Sequence, residues 1–149
     1  MAGRGRLEEA LARMPHRGAM RLIEAIEAVD EHSILCRARP HGGSEYPLRL
    51  DGHLEPAALT ELGAQAAAAH ASLFGMGAAH TGLVLSMNGI DIRRNTVPEG
   101  GNLAVRAERI SSLDAAASYH FVVKTPSADM DEDTILSGEV LLSMVKAAT

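Results

Sequence analysis

The stretch that decides the fold is Pro56-Ala57-Ala58-Leu59-Thr60-Glu61-Leu62-Gly63-Ala64-Gln65-Ala66-Ala67-Ala68-Ala69-His70-Ala71-Ser72-Leu73-Phe74, followed by Gly75. Proline suits the first position of a helix, and glycine commonly follows the last. Gly63 lies inside the stretch, where a glycine costs roughly 1 kcal/mol relative to alanine. Close packing of the alanine-rich segment on a second layer would compensate for this cost. We therefore predict one long helix over residues 57–74 with a sheet packed closely against it.

The segments on both sides of this helix predict strands. Two apolar runs of strand length precede it, separated by Asp30-Glu31-His32, and they should pair antiparallel. Because no alternation of strands and helices follows, the sheet should be antiparallel with the helix on one face, an α+β architecture. A short helix over residues 6–14, ending at Pro15, is expected to cover one edge. The predicted strands are residues 21–30, 33–40, 83–93, 103–111, 116–124 and 135–145.

The composition predicts a single domain over residues 1–149 and excludes several classes of protein. The chain is 46% hydrophobic and 22% charged, as in ordinary globular proteins. A net charge of -5, with two Phe, two Tyr and no Trp, argues against a nucleic-acid partner. The single cysteine, Cys36, lies in an apolar run, which indicates a structural thiol in a reducing compartment.

No targeting, membrane or metal signal stands out in the sequence. The first residues carry no apolar core of the kind that a signal peptide needs, and the most apolar segment, residues 64–74, is too short to cross a bilayer. We expect a cytoplasmic protein with no membrane partner. No His, Cys or carboxylate pair has ligand spacing, so no metal and no cofactor are expected.

Four segments resemble one known family. Met14-Pro15-His16-Arg17 resembles its opening Leu-Pro-His-Arg signature, and Glu61-Leu62-Gly63-Ala64-Gln65 resembles the Glu-x-x-Ala-Gln motif of its central helix. Asn88-Gly89-Ile90-Asp91, with the turn at residues 97–101, resembles the next strand, and residues 138–144 resemble the closing one. The family is that of the hotdog-fold β-hydroxyacyl-carrier-protein dehydratases of fatty-acid synthesis and their polyketide-type relatives.

This resemblance implies a fold, an assembly and a reaction. The fold is a hotdog, in which a curved antiparallel sheet wraps one long helix, and two subunits join edge to edge with active sites shared between them. A loop histidine removes a proton from C2 of a 3-hydroxyacyl thioester, and the helix acid of the facing subunit protonates the departing hydroxyl. The matching positions imply catalytic Glu61 and His53. The substrate would contact Gly52, Leu54, Pro56 and Gln65, of which Gln65 could also hydrogen-bond to Glu61 or to loop backbone.

The loop before the helix departs from the fatty-acid enzymes. His53 lies only eight residues before Glu61, and Leu54-Glu55-Pro56 replaces a proline-glycine stretch. The shortened loop is similar to that of the dehydratase-like subunits of aryl-polyene pathways. Three functions therefore stay open, namely a 3-hydroxyacyl thioester dehydratase, a thioester hydrolase that needs Glu61 but no histidine, and a non-catalytic or partner subunit of a heteromeric dehydratase.

The other histidines and the basic pair Arg93-Arg94 can each be explained by a structural or solvent-exposed role as well as by a functional one. His41 could reach the site only if its loop folds back, and His16 fits a structural role. His70 near the helix end would favour the negative end of the helix dipole. Arg93 and Arg94 would dock an acidic carrier protein or its phosphopantetheine phosphate, or form a solvated strand end.

The expected partners follow from the same resemblance. The substrate is carried by an acyl carrier protein or as an acyl-CoA thioester. The chain is expected to form a homodimer or higher oligomer, or a heterodimer with another hotdog subunit.

Overall fold

A computed structural model describes residues 22–40, 46–74, 80–98, 101–113, 115–126 and 133–146. The predicted helix over residues 6–14, together with His16 and His41, lies outside these residues. The first two strands, β1 and β2, come before one α-helix, α1, and four strands, β3 to β6, follow it. The elements are β1 (Ile23–Val29), β2 (Ser33–Ala38), α1 (Thr60–Phe74), β3 (His80–Ile92), β4 (Leu103–Leu113), β5 (Ala116–Lys124) and β6 (Thr134–Lys146).

The six strands form one antiparallel sheet in the order β1-β2-β4-β5-β6-β3. All six strands occur where the sequence predicts them, and α1 contacts every one of them. The α+β prediction is therefore confirmed. β3 follows α1 in the chain but pairs with β6, so it forms one edge of the sheet and β1 the other.

The start of the long helix differs from the prediction. Residues Pro56–Leu59 form a 3-10 helix, and the α-helix begins only at Thr60. Pro56 has no N–H group, and Ala58 N donates instead to Glu55 O at 3.0 Å. Thr60 Oγ1 donates to Ala57 O at 2.9 Å, which completes the tight turn. As a result, Glu61 lies in the first turn of α1 and not deep inside it.

The core lies between α1 and one face of the sheet. Every residue from 62 to 71 is buried, as the run of alanines led us to expect. On β5, Tyr119, Phe121 and Val123 are fully buried, whereas His120 between them is exposed. The face that carries these three side chains packs on α1; we call the opposite face of the sheet the outer face.

The closest approach between the helix and the sheet is at Gly63. A Cβ atom added there would lie under 3.0 Å from three atoms of the Phe121 ring. Gly138 on β6 is the register partner of Phe121, and a Cβ there would meet Ile90 Cδ1 and the far end of the same ring. Phe121 therefore occupies the space that two absent side chains leave open.

His70 is also part of the core, which corrects the expectation that it serves the helix dipole. Its side chain is fully buried, with Nδ1 2.7 Å from Tyr119 Oη and Nε2 2.9 Å from Asp30 O. A backbone carbonyl can only accept, so Nε2 carries the proton and Nδ1 accepts from the Tyr119 hydroxyl. The neutral imidazole thus satisfies both partners. The negative end of the helix receives a cation from elsewhere, since Arg109 Nη1 donates to Phe74 O at 3.2 Å.

Replacing Gly63 with Ala should destabilise the protein. Overpacking a core typically costs 1–3 kcal/mol, and three contacts under 3.0 Å place Gly63→Ala near the upper end. Alanine's better helix propensity offsets about 1 kcal/mol, so a net loss of about 2 kcal/mol is expected. Urea unfolding would measure it. Gly101→Ala is the control, because a Cβ at Gly101 meets nothing within 4 Å. Equal stability of G63A and the original protein would contradict the packing argument.

Acid should destabilise the fold through His70. Burial lowers the pKa of His70 from its ordinary value of 6.5, although the bond to the Asp30 carbonyl partly opposes this. The unfolded chain then takes up a proton below pH 6.5 while the folded chain does not, so the free energy of unfolding falls as the pH drops below that value. His70→Gln should make the decline shallower over pH 6.5 to 5. Exposed His120→Gln should keep the decline, and identical slopes for H70Q and the original protein would refute the argument.

Candidate active site

A tight hairpin holds His53 next to the helix. Leu50 N donates to His53 O at 2.8 Å, and His53 N donates to Leu50 O at 2.9 Å. Between them, Asp51 and Gly52 both have positive φ, 53° and 80°. Two consecutive positive φ angles are the signature of a type I′ turn, which Asp-Gly favours. The short Asp-Gly loop therefore fixes the backbone of His53 three residues before the 3-10 helix begins.

His53 lines a groove of about 210 Å³ on the protein surface. One wall comes from the hairpin and the residues after it, and the other from residues 95–98, the turn that follows β3. Gly52 and Leu54, both predicted to contact substrate, lie in the same groove. Arg49 lines it as well and was missed by the sequence analysis; its position in the same loop, just before His53, was the available signal.

Gln65 links the candidate acid to the sheet. Its side chain is fully buried, and Oε1 accepts from Leu22 N at 2.8 Å. Its Nε2 donates to Glu61 Oε1 at 3.3 Å, one helical turn earlier. Glu61 itself is half-buried. One amide thus binds both the residue that precedes β1 and the carboxylate of Glu61, and it restricts where that carboxylate can lie.

The predicted site residues fall into two groups within one chain. Gly52, His53 and Leu54 share the groove, and Glu61 is paired with Gln65. Pro56 is buried at the start of the 3-10 helix. Glu61 is not among the residues that line the groove of His53.

The two arginines after β3 have different surroundings. Arg93 Nε lies 3.2 Å from Asp91 Oδ2 on the exposed end of the strand, and Arg94 Nη2 lies 3.4 Å from Asp133 Oδ1. Arg93 also lines a second cavity, on the outer face of the sheet and away from His53. Their docking role remains a prediction.

Cys36 is buried, and burial raises the pKa of its thiol to about 12. A thiol of this kind is not a nucleophile near neutral pH, in line with the structural role predicted for it. Within the described ranges, no three His, Cys, Asp or Glu side chains are arranged to hold a metal ion. Among the helices described, none is long and apolar enough to cross a membrane.

The family follows from a comparison with protein-family models. A model described as ApeP dehydratase, for the ApeP-like family, matches residues 9–144. The chain belongs to the ApeP-like dehydratase family. The resemblance to aryl-polyene dehydratase subunits is thereby confirmed, and the match covers both His53 and Glu61. No curated protein matches the chain.

Solved structures confirm the hotdog fold. The dehydratase heterocomplex ApeI:P from Xenorhabdus doucetiae matches with a TM-score of 0.72 at 15% identity, over 94% of this chain and 91% of that one. A thioesterase family protein from Silicibacter pomeroyi has a TM-score of 0.70 at 14% identity, with 95% and 97% covered. A thioesterase from Haemophilus influenzae has 0.62 at 16% identity, with 84% and 80% covered. ApeP-like dehydratases and thioesterases therefore share this architecture.

Replacing Gln65 with Leu should weaken both the fold and the placement of Glu61. Leucine has similar bulk but offers no acceptor to Leu22 N, and a buried unsatisfied donor costs about 1–3 kcal/mol. Urea unfolding would measure this loss. Gln65→Glu is the matched variant, because it keeps an oxygen for Leu22 N while removing the donor to Glu61. If Q65L and the original protein unfold at the same urea concentration, the amide does not hold this part of the fold.

Proposed function

We propose that the chain dehydrates a 3-hydroxyacyl thioester, carried on an acyl carrier protein, to the trans-2-enoyl product. The pathway would be fatty-acid, polyketide or aryl-polyene lipid synthesis. Glu61 is the acid and His53 the base. The observation that carries the proposal is that the ApeP-like family match includes both a helix carboxylate tied to a buried amide and a histidine fixed by a tight turn.

In the proposed reaction, His53 takes a proton from C2 of the acyl chain. The electron pair of that C–H bond forms the C2–C3 double bond, and the C3–O bond breaks. Glu61 donates a proton to the departing hydroxyl, which leaves as water. The bond from Gln65 Nε2 to Glu61 Oε1 orients the carboxyl group for this transfer. The thioester oxygen, on which charge develops, would be stabilised by backbone N–H groups near the helix start.

The separation of Glu61 from the groove of His53 supports an active site shared between two subunits. The exposed face of edge strand β3 supports the same arrangement. β3 exposes a series of large apolar side chains at a sheet edge, and such an edge is a template for pairing with another strand. These side chains are Leu83, Val84, Leu85, Ile90 and Ile92.

The second subunit could be a copy of this chain or another hotdog protein. The matching structure from Xenorhabdus doucetiae is the dehydratase heterocomplex ApeI:P, which favours the second choice. In such an assembly, Gly52, Leu54, Pro56 and Gln65 would contact or orient the substrate near the two catalytic groups.

The proposal is tested with a purified 3-hydroxyacyl carrier protein. Glu61→Gln and His53→Ala should each reduce formation of the 2-enoyl product at least a hundredfold, because general acid–base groups typically contribute roughly 10²–10⁴ in rate. His32→Ala, in the exposed turn between β1 and β2, is the control and should keep full activity. Release of a free thiol by H53A but not by E61Q would instead establish a hydrolase, an activity suggested by the thioesterase structures of the same fold.

The chain should be assayed alone and after mixing with a second hotdog dehydratase subunit. Turnover by a stable homodimer would exclude a silent partner role. If only the mixture turns over substrate, and E61Q or H53A abolishes that turnover, then Glu61 and His53 act as catalytic groups within the heteromer. Activity of the mixture that neither substitution changes would overturn the proposed residues.

A further inference from the structure

A second cavity lies on the outer face of the sheet, away from the helix and from Glu61. It has a volume of about 280 Å³. Strand alternation creates it, because Val105 and Phe121 point to the core while the residues next to them point outwards. Arg106 on β4, Val122 on β5 and Ser137 on β6 are register partners and cross its floor as one row.

The lining of this cavity is cationic and rich in donors. Arg93, Arg106 and Lys124 contribute positive charge, and His120 lies at the same surface. Thr134 and Ser137 add hydroxyl groups. Among the residues that the structure describes there, none that lines the cavity is a carboxylate. Arginine forks and hydroxyls are the groups that proteins use to bind phosphate.

Nearby carboxylates do not occupy these cations fully. Arg93 contacts Asp91 at 3.2 Å and Arg106 contacts Glu108 at 3.4 Å, each through one nitrogen, and all four side chains are more than a third exposed. Exposed pairs of this kind are weak, and a guanidinium has five N–H donors. One contact therefore leaves donors of each arginine for a second anion.

Lys124 is the buried member of the set. Its exposed fraction is 9%, and Thr134, its register partner, is 8% exposed. Both take part in further interactions within the protein, which hold them in place. Burying an ammonium group is costly, and an anion close by offsets that cost. Lys124 thus adds positive charge to the wall of the cavity at a fixed position.

We propose that this outer-face cavity is a binding site for the phosphate group of a small ligand, separate from the acyl site. The volume lies just below the roughly 300–1,000 Å³ of typical small-molecule pockets, so it suits a phosphate with a short organic group. The phosphate could belong to a free metabolite or to the phosphopantetheine arm of a carrier protein. A free phosphomonoester is a dianion and the carrier arm is a phosphodiester monoanion, but both offer phosphate oxygens to Arg93 and Arg106.

The test is titration of the full chain with inorganic pyrophosphate and with 4′-phosphopantetheine, followed by calorimetry at constant ionic strength. Saturable binding is expected, and Arg106→Gln and Arg93→Gln should each weaken it roughly tenfold, since bonds to charged groups are among the strong ones. Arg37→Gln is the matched control, because Arg37 is an arginine on β2 that does not line the cavity. Its affinity should equal that of the original protein.

The two probes distinguish the source of the phosphate. Tighter binding of 4′-phosphopantetheine than of pyrophosphate assigns the site to the carrier arm, and the reverse assigns it to a free metabolite. The proposal is overturned if neither probe saturates the protein, or if R37Q weakens binding as much as R106Q does. Because Arg106 is not part of the acyl site, failure here leaves the dehydratase assay unaffected.

Discussion

The contact between the Phe121 ring and the backbone of Gly63 is the constraint on which the rest of the molecule depends. Because neither Gly63 nor Gly138 has a side chain, the ring fills the space between helix and sheet, with Ile90 closing it from the edge strand. The short distance between the layers then requires small residues along α1, and alanine meets this need at six buried positions. The alanine content of α1 thus follows from the short distance between the helix and the sheet.

The close packing of α1 on the sheet also determines where Glu61 lies. A helix packed this tightly has little room for polar groups. Its two fully buried polar residues, Gln65 and His70, are both hydrogen-bonded, whereas the buried Ser72 hydroxyl is not. His70 satisfies Asp30 and Tyr119 across the core, and Gln65 satisfies Leu22 and Glu61. Glu61 lies at the edge of the core because Gln65, the side chain that binds it, lies inside the core. The chemistry at the helix start is therefore coupled to the packing of the sheet.

Much of the fold could be predicted from the sequence, because periodicity and chain breakers are local signals. β5 begins and ends at the predicted residues, and on β4 the buried residues Leu103, Val105 and Ala107 alternate in sequence with more exposed ones. The partners of His70 could not be predicted, since Tyr119 is distant in the chain and only the register of β5 brings it to the helix. The start of α1 was misjudged because Pro56 fits a 3-10 turn as well as an α-helix.

The candidate site likewise contains features that follow from local sequence and features that depend on the pairing of distant strands. The motif predicted Glu61 and its amide, since the two are one helical turn apart in sequence, whereas the tight turn at Asp51 and Gly52 was not predicted. The outer-face cavity was not predicted, because Arg106, Val122 and Ser137 meet only through the pairing of three strands.

The position of β3 in the sheet also affects how the chain folds during synthesis. β3 leaves the ribosome well before β6, so its apolar edge must wait for β6 while β4 and β5 are made. The register shifts between β3 and β6, with Gly89 at positive φ, bend β3 on the side that later pairs with β6.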